Sequence, residues 1–243
     1  MSSTIDHQEV EKFTAIADEW WDESGKFKPL HRFNPIRISY LRRKIIEHFK
    51  LDEKSIYPFS GLKILDIGCG GGLVSEPFAR MKVDVTGIDA GEKNIAVAKI
   101  HAEKSGLKID YQNITAEELC EKNQKFDVVL ALEIIEHVAD VENFVKSCTQ
   151  LVKPGGLLFI ATINRTPKSF ALAKVAVEYI LRWLPAGTHD WKKFLKPSEI
   201  VICAQNHGVK LQELRGFSYN ILQDEWKECE ELEMNYIAKF NKI

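Results

Sequence analysis

Apolar positions along the 243-residue chain recur with two different periods, and the switches between them mark out its elements. Val10, Phe13, Ile16, Ala17 and Trp20 fall at helical spacing and predict an amphipathic helix over 7–22. A loop with Gly25 and Pro29 follows, then a second helix from Pro35 to about Phe49, with Pro35 suited to a first turn. Short apolar runs predict strands at 62–67, 83–88, 108–113, 126–132, 156–163 and 209–217, with a last one near 232–240. Helical patterns at 73–81, 91–105 and 140–152 lie between the earlier strands. Alternation at this size predicts an α/β chain built on a parallel, doubly wound sheet. Lys153-Pro154-Gly155-Gly156 reads as a turn feeding the apolar run Leu157 to Ile160. The stretch 165–207 is too long for a simple strand connection and is expected as a helical insertion beside the functional site. One domain, 1–243, then divides into a helical cap (1–60), a core (61–164), the insertion (165–207) and C-terminal strands (208–243).

The most informative run is Ile64-Leu65-Asp66-Ile67-Gly68-Cys69-Gly70-Gly71-Gly72, a buried-strand pattern that breaks into glycines before a helix. Twenty-one residues after Gly68, a second strand ends in Asp89. A strand, a glycine turn, a helix and an acid-tipped strand make the entrance of a nucleotide-binding α/β sheet. A dinucleotide fingerprint wants a third glycine where Leu73 stands, whereas the glycines here read G-x-G-x-G (Gly68, Gly70, Gly72). That form suits a ligand without a pyrophosphate, of which S-adenosylmethionine is the common one. Helix-start amides after the turn can receive its carboxylate, and Asp89 would accept its ribose hydroxyls. The plainer alternative is a tight turn whose glycines only help the helix pack on the sheet.

Composition narrows the picture. Hydrophobic residues make up 45%, enough for a full core, and 33 Lys and Arg against 35 Asp and Glu give a net charge of -2. That balance gives no reason to expect a nucleic-acid partner. Five scattered cysteines form no C-x-x-C pair and suggest neither a zinc site nor a disulfide framework. The start of the chain is too polar for a secretory signal, and no apolar run reaches membrane-spanning length.

Beyond the glycine loop, Ala15-x-x-x-x-Trp20-Trp21-Asp22, Phe27-Lys28-Pro29-Leu30-His31, Asn34-Pro35-Ile36-Arg37, Glu133-Ile134-Ile135-Glu136-His137-Val138 and Gly187-Thr188-His189-Asp190 form a narrower set. Together with Lys193-Phe194-Leu195-Lys196-Pro197-Ser198-Glu199 they resemble the ubiquinone biosynthesis O-methyltransferases, within the class I S-adenosylmethionine-dependent methyltransferases. The resemblance spans roughly residues 10–240. It implies a Rossmann-like sheet of seven strands, order 3-2-1-4-5-7-6 with strand 7 antiparallel. It also implies methylation of catechol-type hydroxyls on polyprenylated ubiquinone precursors, at both O-methylation steps. Residue by residue, it implies cofactor contacts at Arg37, Gly68, Asp89 and Leu132, the last often methionine in relatives and of similar volume here. Arg37 read alone could equally be a surface arginine on a basic helix. Thr115 and Ala116 follow the third strand, where they could read the adenine edge; Thr115 could also simply cap a helix.

Methyl transfer to a phenol needs alignment of oxygen, carbon and sulfur, and it needs the phenolate. A phenol with a pKa of about 10 is protonated at neutral pH, so a base or a Lewis acid is required. Glu133, Glu136 and His137 follow the fourth strand and would share one face of a helical turn. The resemblance implies that these three can hold a divalent ion, Mg2+, against the catechol oxygens. Magnesium prefers oxygen ligands, so His137 could instead act as base with the glutamates positioning it, or the glutamates could only flank the next helix. His189, with Asp190 beside it, is a second candidate base.

The insertion holds an apolar run from Phe170 to Leu184 with one polar stripe (Lys174, Glu178, Arg182), flanked by Lys168, Lys192, Lys193 and Lys196. Such a helix is either buried core or, given the polyprenyl tail of the implied substrate, a contact with an anionic membrane surface. Other ubiquinone-biosynthesis proteins are candidate partners. The expected location is a bacterial cytoplasm, peripheral to the inner membrane, with the mitochondrial matrix side as alternative. Two other functions stand beside the first: a methyltransferase for a soluble phenol or catechol, and a non-catalytic cofactor-binding scaffold. A nucleic-acid methyltransferase is disfavoured because no Asn/Asp-Pro-Pro-Tyr/Phe motif follows the fourth strand.

Overall fold

The computed structural model describes residues 4–170, 191–220, 223 and 225–243. Helix α1 (His7–Ala15) is capped by Asp6, whose side chain accepts from the Gln8 and Glu9 amides. A short 3-10 turn (Ala17–Glu19) leads towards α2 (Lys28–Phe49). Strand and helix then alternate through β1 (Lys63–Ile67), α3 (Ser75–Arg80), β2 (Asp84–Ile88), α4 (Glu92–Lys104) and β3 (Asp110–Gln112). Next come α5 (Ala116–Glu121), β4 (Phe126–Leu132), a 3-10 turn (Ile135–His137), α6 (Val141–Leu151) and β5 (Val152–Ile163). After the single turn α7 (Pro167–Ser169), the chain continues in α8 (Pro197–Asn206), β6 (Val209–Asn220), β7 (Glu225–Cys229) and β8 (Asn235–Lys242).

The sheet order is β3-β2-β1-β4-β5-β8-β6-β7. Strands β1 to β5 are parallel, and β8 runs antiparallel between β5 and β6. The seven expected strands are therefore present in the expected order, and an eighth, β7, extends the edge by pairing antiparallel with β6. The sheet is buried on both faces, which is why its central strands read as unbroken apolar runs. Along β4, Val129 and Ala131 pack towards α5, α6 and α8, while Val128, Leu130 and Leu132 pack towards α2 and α3.

Three expectations change. The helix expected over 7–22 ends at Ala15, with a 3-10 turn beyond it. Helix α2 begins at Lys28 rather than Pro35: Pro29 takes the first turn and Pro35 lies inside. Pro35 lacks the N–H that would bond back to His31, and packing holds the extra turns. Phe33 is buried against Phe217 and Trp226, with ring centroids 5.4 and 4.5 Å away. Strand β5 begins at Val152, and Lys153 to Gly156 form an irregularity in its pairing with β4, with Gly155 at φ +76°. Within the insertion, residues 171–190 lie outside the described residues.

Candidate active site

The glycine turn follows β1 and is shaped by left-handed backbone: φ is +71° at Gly68, +53° at Gly70 and +91° at Gly72. At Gly70 a Cβ would also run into the Trp20 ring, and at Gly72 into the Tyr111 hydroxyl. Asp89, at the tip of β2, holds this turn. Its Oδ2 accepts from the Gly70 amide at 3.0 Å, and Oδ1 from the Gly91 amide at 2.7 Å and Asn94 Nδ2 at 3.0 Å. Burial raises the Asp89 pKa against these three bonds. Asn94 in turn accepts from Trp20 Nε1 at 2.9 Å. Asp89 is thus the clasp of the loop as well as the acid beside it, and its Oδ2 keeps acceptor capacity for a ribose hydroxyl.

Beneath the turn, Asp66 accepts from the Ser75 hydroxyl at 2.6 Å, and burial pushes its pKa up to about 6. Arg37 is buried on α2; it bonds to Asn34 Oδ1, sits over the Phe33 ring, and its Nε has no partner. Asn34 also bonds Leu73 O, just after the glycine turn, at 3.1 Å, and a buried guanidinium with an unpartnered N–H is suited to a carboxylate.

Opposite the turn, at the end of β4, Glu133 adopts φ +54°. Its amide bonds to Ala161 O at 2.9 Å and its Oε2 accepts from Asn235 Nδ2 at 3.3 Å. Oε1 is buried without a partner. Burial raises its pKa, the neighbouring Glu136 adds to that, and Arg37 opposes it. Glu136 turns away to accept from the Thr162 hydroxyl at 2.9 Å. His137 Nδ1 lies 3.0 Å from Glu9 Oε2, and its ring meets Phe13 edge-on at 5.0 Å.

The chain's start closes over this cleft. Ile5 forms a β-bridge with Val138, Thr4 O accepts from the Ala139 amide, and the Thr4 hydroxyl donates to Glu117 Oε1 at 2.8 Å. Lys193 Nζ reaches Asp6 at 2.9 Å and Glu9 at 3.1 Å. The His137 bond, ahead of Lys12 and Lys193, holds Glu9 far below the usual carboxylate range despite burial. Gly68, Gly70, Asp89, Thr115, Glu133 and His137 all line the one cleft beneath this segment. Gly72, Arg37, Ala116 and Leu132 do not line it. Thr115 caps α5 in a capping box with Glu118, so that alternative is realised, and Ala116 is buried in the first turn.

A methyltransferase-domain family model matches residues 65–160, the stretch from β1 to β5. Over 240 residues the chain is 51% identical to the ubiquinone biosynthesis O-methyltransferase of Pelagibacter ubique, covering 99% of both chains. It is 52% identical to that of Bartonella bacilliformis, over 99% of this chain and 97% of the relative. The chain belongs to the ubiquinone biosynthesis O-methyltransferases. More distant solved structures share the fold. An S-adenosylmethionine-dependent methyltransferase from Clostridium acetobutylicum matches with TM-score 0.63 and 15% identity, over 96% of this chain and 98% of that one. Magnesium protoporphyrin IX methyltransferase from Synechocystis, solved with bound SAH, matches with TM-score 0.62 and 14% identity, over 95% and 99%.

For this ubiquinone biosynthesis O-methyltransferase family member, the cleft fits S-adenosylmethionine through a cradle that Cβ atoms would fill and an acid at the second strand, with Arg37, its Nε unpartnered, buried outside the cleft lining. The expected magnesium triad is not assembled. Glu133, Glu136 and His137 bond to Asn235, Thr162 and Glu9, and among the described residues no three His, Cys, Asp or Glu stand together as a metal shell. The reason is the turn itself: Glu133 lies before the 3-10 turn in a left-handed conformation, off the face that Glu136 and His137 would share with it in a regular helix. His189 and Asp190 lie outside the described residues. Lys168 and Lys193 are committed to ion pairs, with Glu233 and with Asp6 and Glu9, so the basic flank of the insertion is weaker than its sequence implies. No helix among the described residues is long and apolar enough to cross a membrane. Sequence reasoning missed Glu9, Trp20 as a cover for the loop, Asn94 and Asp66; the Trp20-Trp21 pair was the one signal that could have flagged the cover.

Proposed function

We propose that this chain moves the methyl of S-adenosylmethionine to a catechol-type hydroxyl of polyprenylated ubiquinone precursors, at both O-methylation steps. The observation that carries it is the convergence of two proton-accepting side chains, Glu133 and His137, from one turn into the cleft that holds the glycine loop and Asp89. When bound, S-adenosylmethionine supplies an electrophilic methyl on sulfur; the chain supplies position and proton transfer. The Arg37 guanidinium and the turn amides receive the methionyl carboxylate, Asp89 fixes the ribose, and Thr115, with Ala116 buried behind it, flanks the adenine. His137 takes the proton of the hydroxyl being methylated, a general-base contribution of about 10²–10⁴-fold. Glu133 Oε1, unpartnered in the cleft wall, accepts from the neighbouring hydroxyl and sets which oxygen faces the methyl. His189 stands as the alternative base.

No step here runs through magnesium. An ion on Glu133, Glu136 and His137 would have to draw them from Asn235, Thr162 and Glu9, and a chelator arm in the assay reads that directly. The prenyl tail leaves along the insertion, which rests on anionic lipid at the membrane periphery. Flotation with anionic liposomes tests this part, and retention after charge reversal at Lys168 and Lys192 would count against it. For the reaction itself, labelled-methyl transfer is compared between a short-chain prenylated catechol and an unprenylated one. Preference for the prenylated acceptor is expected; equal use of both would favour a soluble-phenol methyltransferase.

A further inference from the structure

We infer that Asn94 is a positioning residue for the cofactor's ribose. By occupying Asp89 Oδ1 it leaves that carboxylate one free acceptor site, on Oδ2, so Asp89 reads one ribose hydroxyl and not the pair. The inference rests on the reading of Asp89 as the acid that fixes the ribose. A carboxylate offers about four acceptor sites, two on each oxygen. Oδ1 receives the Gly91 amide at 2.7 Å and Asn94 Nδ2 at 3.0 Å, and Oδ2 receives the Gly70 amide at 3.0 Å. The chain itself therefore fills Oδ1 and half of Oδ2.

Asn94 is buried in the first turn of α4 and lines the cleft beside Asp89 and Trp20. The way its amide faces is set by the cover. Trp20 Nε1 is a donor only, so the atom it meets at 2.9 Å is Oδ1, and Nδ2 is turned to Asp89. Room for this approach comes from Gly91. Its φ of -84° is open to any residue, yet a Cβ there would stand 2.8 Å from Asn94 Nδ2 and 3.1 Å from Asp89 Oδ1. The approach of Asn94, not the backbone, is what requires a glycine at 91. Trp20 also packs over Gly70, whose amide holds the other carboxylate oxygen. Cover, glycine turn and helix α4 thus meet on one carboxylate and leave it a single acceptor site.

The test is calorimetric titration of the full chain, as wild type, Asn94→Ala and Gly91→Ala, with three probes: SAH and its 2′-deoxy and 3′-deoxy analogues. With the wild type, one analogue should bind about 5–100-fold more weakly than SAH, the range for one lost hydrogen bond, and the other within about twofold of SAH. Removing Asn94, or displacing it by Gly91→Ala, frees Oδ1 for the second hydroxyl, so the two penalties should come within about twofold of each other. The Trp20 indole proton, assigned with Trp20→Phe, gives a second readout by NMR. Its resonance should move upfield in Asn94→Ala as the hydrogen bond is lost, and an unmoved resonance overturns the orientation given to the amide. A merely structural role would weaken all three probes alike and keep the gap between the analogues, which overturns the role given to Asn94. Large and equal penalties in the wild type overturn it as well. Full affinity for both analogues means that Asp89 does not read the ribose; the reading beneath the inference then falls, and the inference with it.

Discussion

At the residue scale, the site is a set of buried polar groups whose partners come from elsewhere in the chain. Glu133 is the clearest case: one oxygen is held by Asn235 and the other is buried and unpaired. Burial lifts the Glu133 pKa to about 8, so replacing it with Ala should raise KM for the acceptor roughly 2–10-fold, the range expected for losing a hydrogen bond to an uncharged group. SAH affinity by calorimetry should stay nearly constant, and a loss of SAH affinity as large as the KM effect would place Glu133 in the cofactor site instead. Asp66 gives a pH prediction. Its folded pKa of about 6 lies above the ordinary 3.8, because burial penalises the charge. The folded state then binds more protons between those values, so this group costs stability as pH rises from about 4 to 6. The cost approaches about 3 kcal/mol above that window. Asp66→Asn should therefore gain on wild type by up to that amount between about pH 4 and pH 7 in denaturant titrations, and a pH-independent difference would refute it. The glycines, Asp89, Glu133 and His137 were legible in the sequence because each ends a strand or fills its turn. Glu9 was not, since its partner lies 128 residues away and nothing local marks the pair.

At the element scale, the glycine turn and the cover over it are one unit. Trp20 stacks on Phe27 with centroids 3.7 Å apart, bonds to Asn94, and occupies the space a Cβ on Gly70 would need. Gly70→Ala should cost more than about 1 kcal/mol through both the left-handed φ and the clash. Combined with Trp20→Ala, the two losses should fall short of additivity by about 0.5–3 kcal/mol in a double-mutant cycle. Additive losses would mean that turn and cover fold independently. Strands β1, β4 and β5 could be read directly, because a strand covered on both faces is apolar throughout. Strand β7 could not: Glu225, Lys227 and Glu228 give it an edge-strand pattern, with Trp226 as its sole large apolar contact, 5.5 Å from Tyr219. The start of α2 was misread because two prolines competed for its first turn, and the packing of Phe33 decided for the earlier one.

Across the whole molecule, the parallel half of the sheet carries the cofactor cleft, and the N-terminal segment closes it from outside the sheet. Residues 4–15 are tied to the turn after β4, to α5 and to the segment before α8, so cofactor binding and ordering of the chain's start should be linked. Amide exchange in residues 4–15 should slow several-fold when SAH is added, and Lys193→Met should lessen that protection. Exchange indifferent to SAH would separate the segment from the site. The most direct test of the whole account is transfer of labelled methyl from S-adenosylmethionine to the free hydroxyl of a short-chain demethylubiquinol, run with magnesium, with a chelator and with His137→Asn. The account predicts methyl ether formation by the wild type and a fall in kcat of about 10²–10⁴-fold for His137→Asn at unchanged SAH affinity. Cofactor that binds while no label reaches the hydroxyl would contradict it.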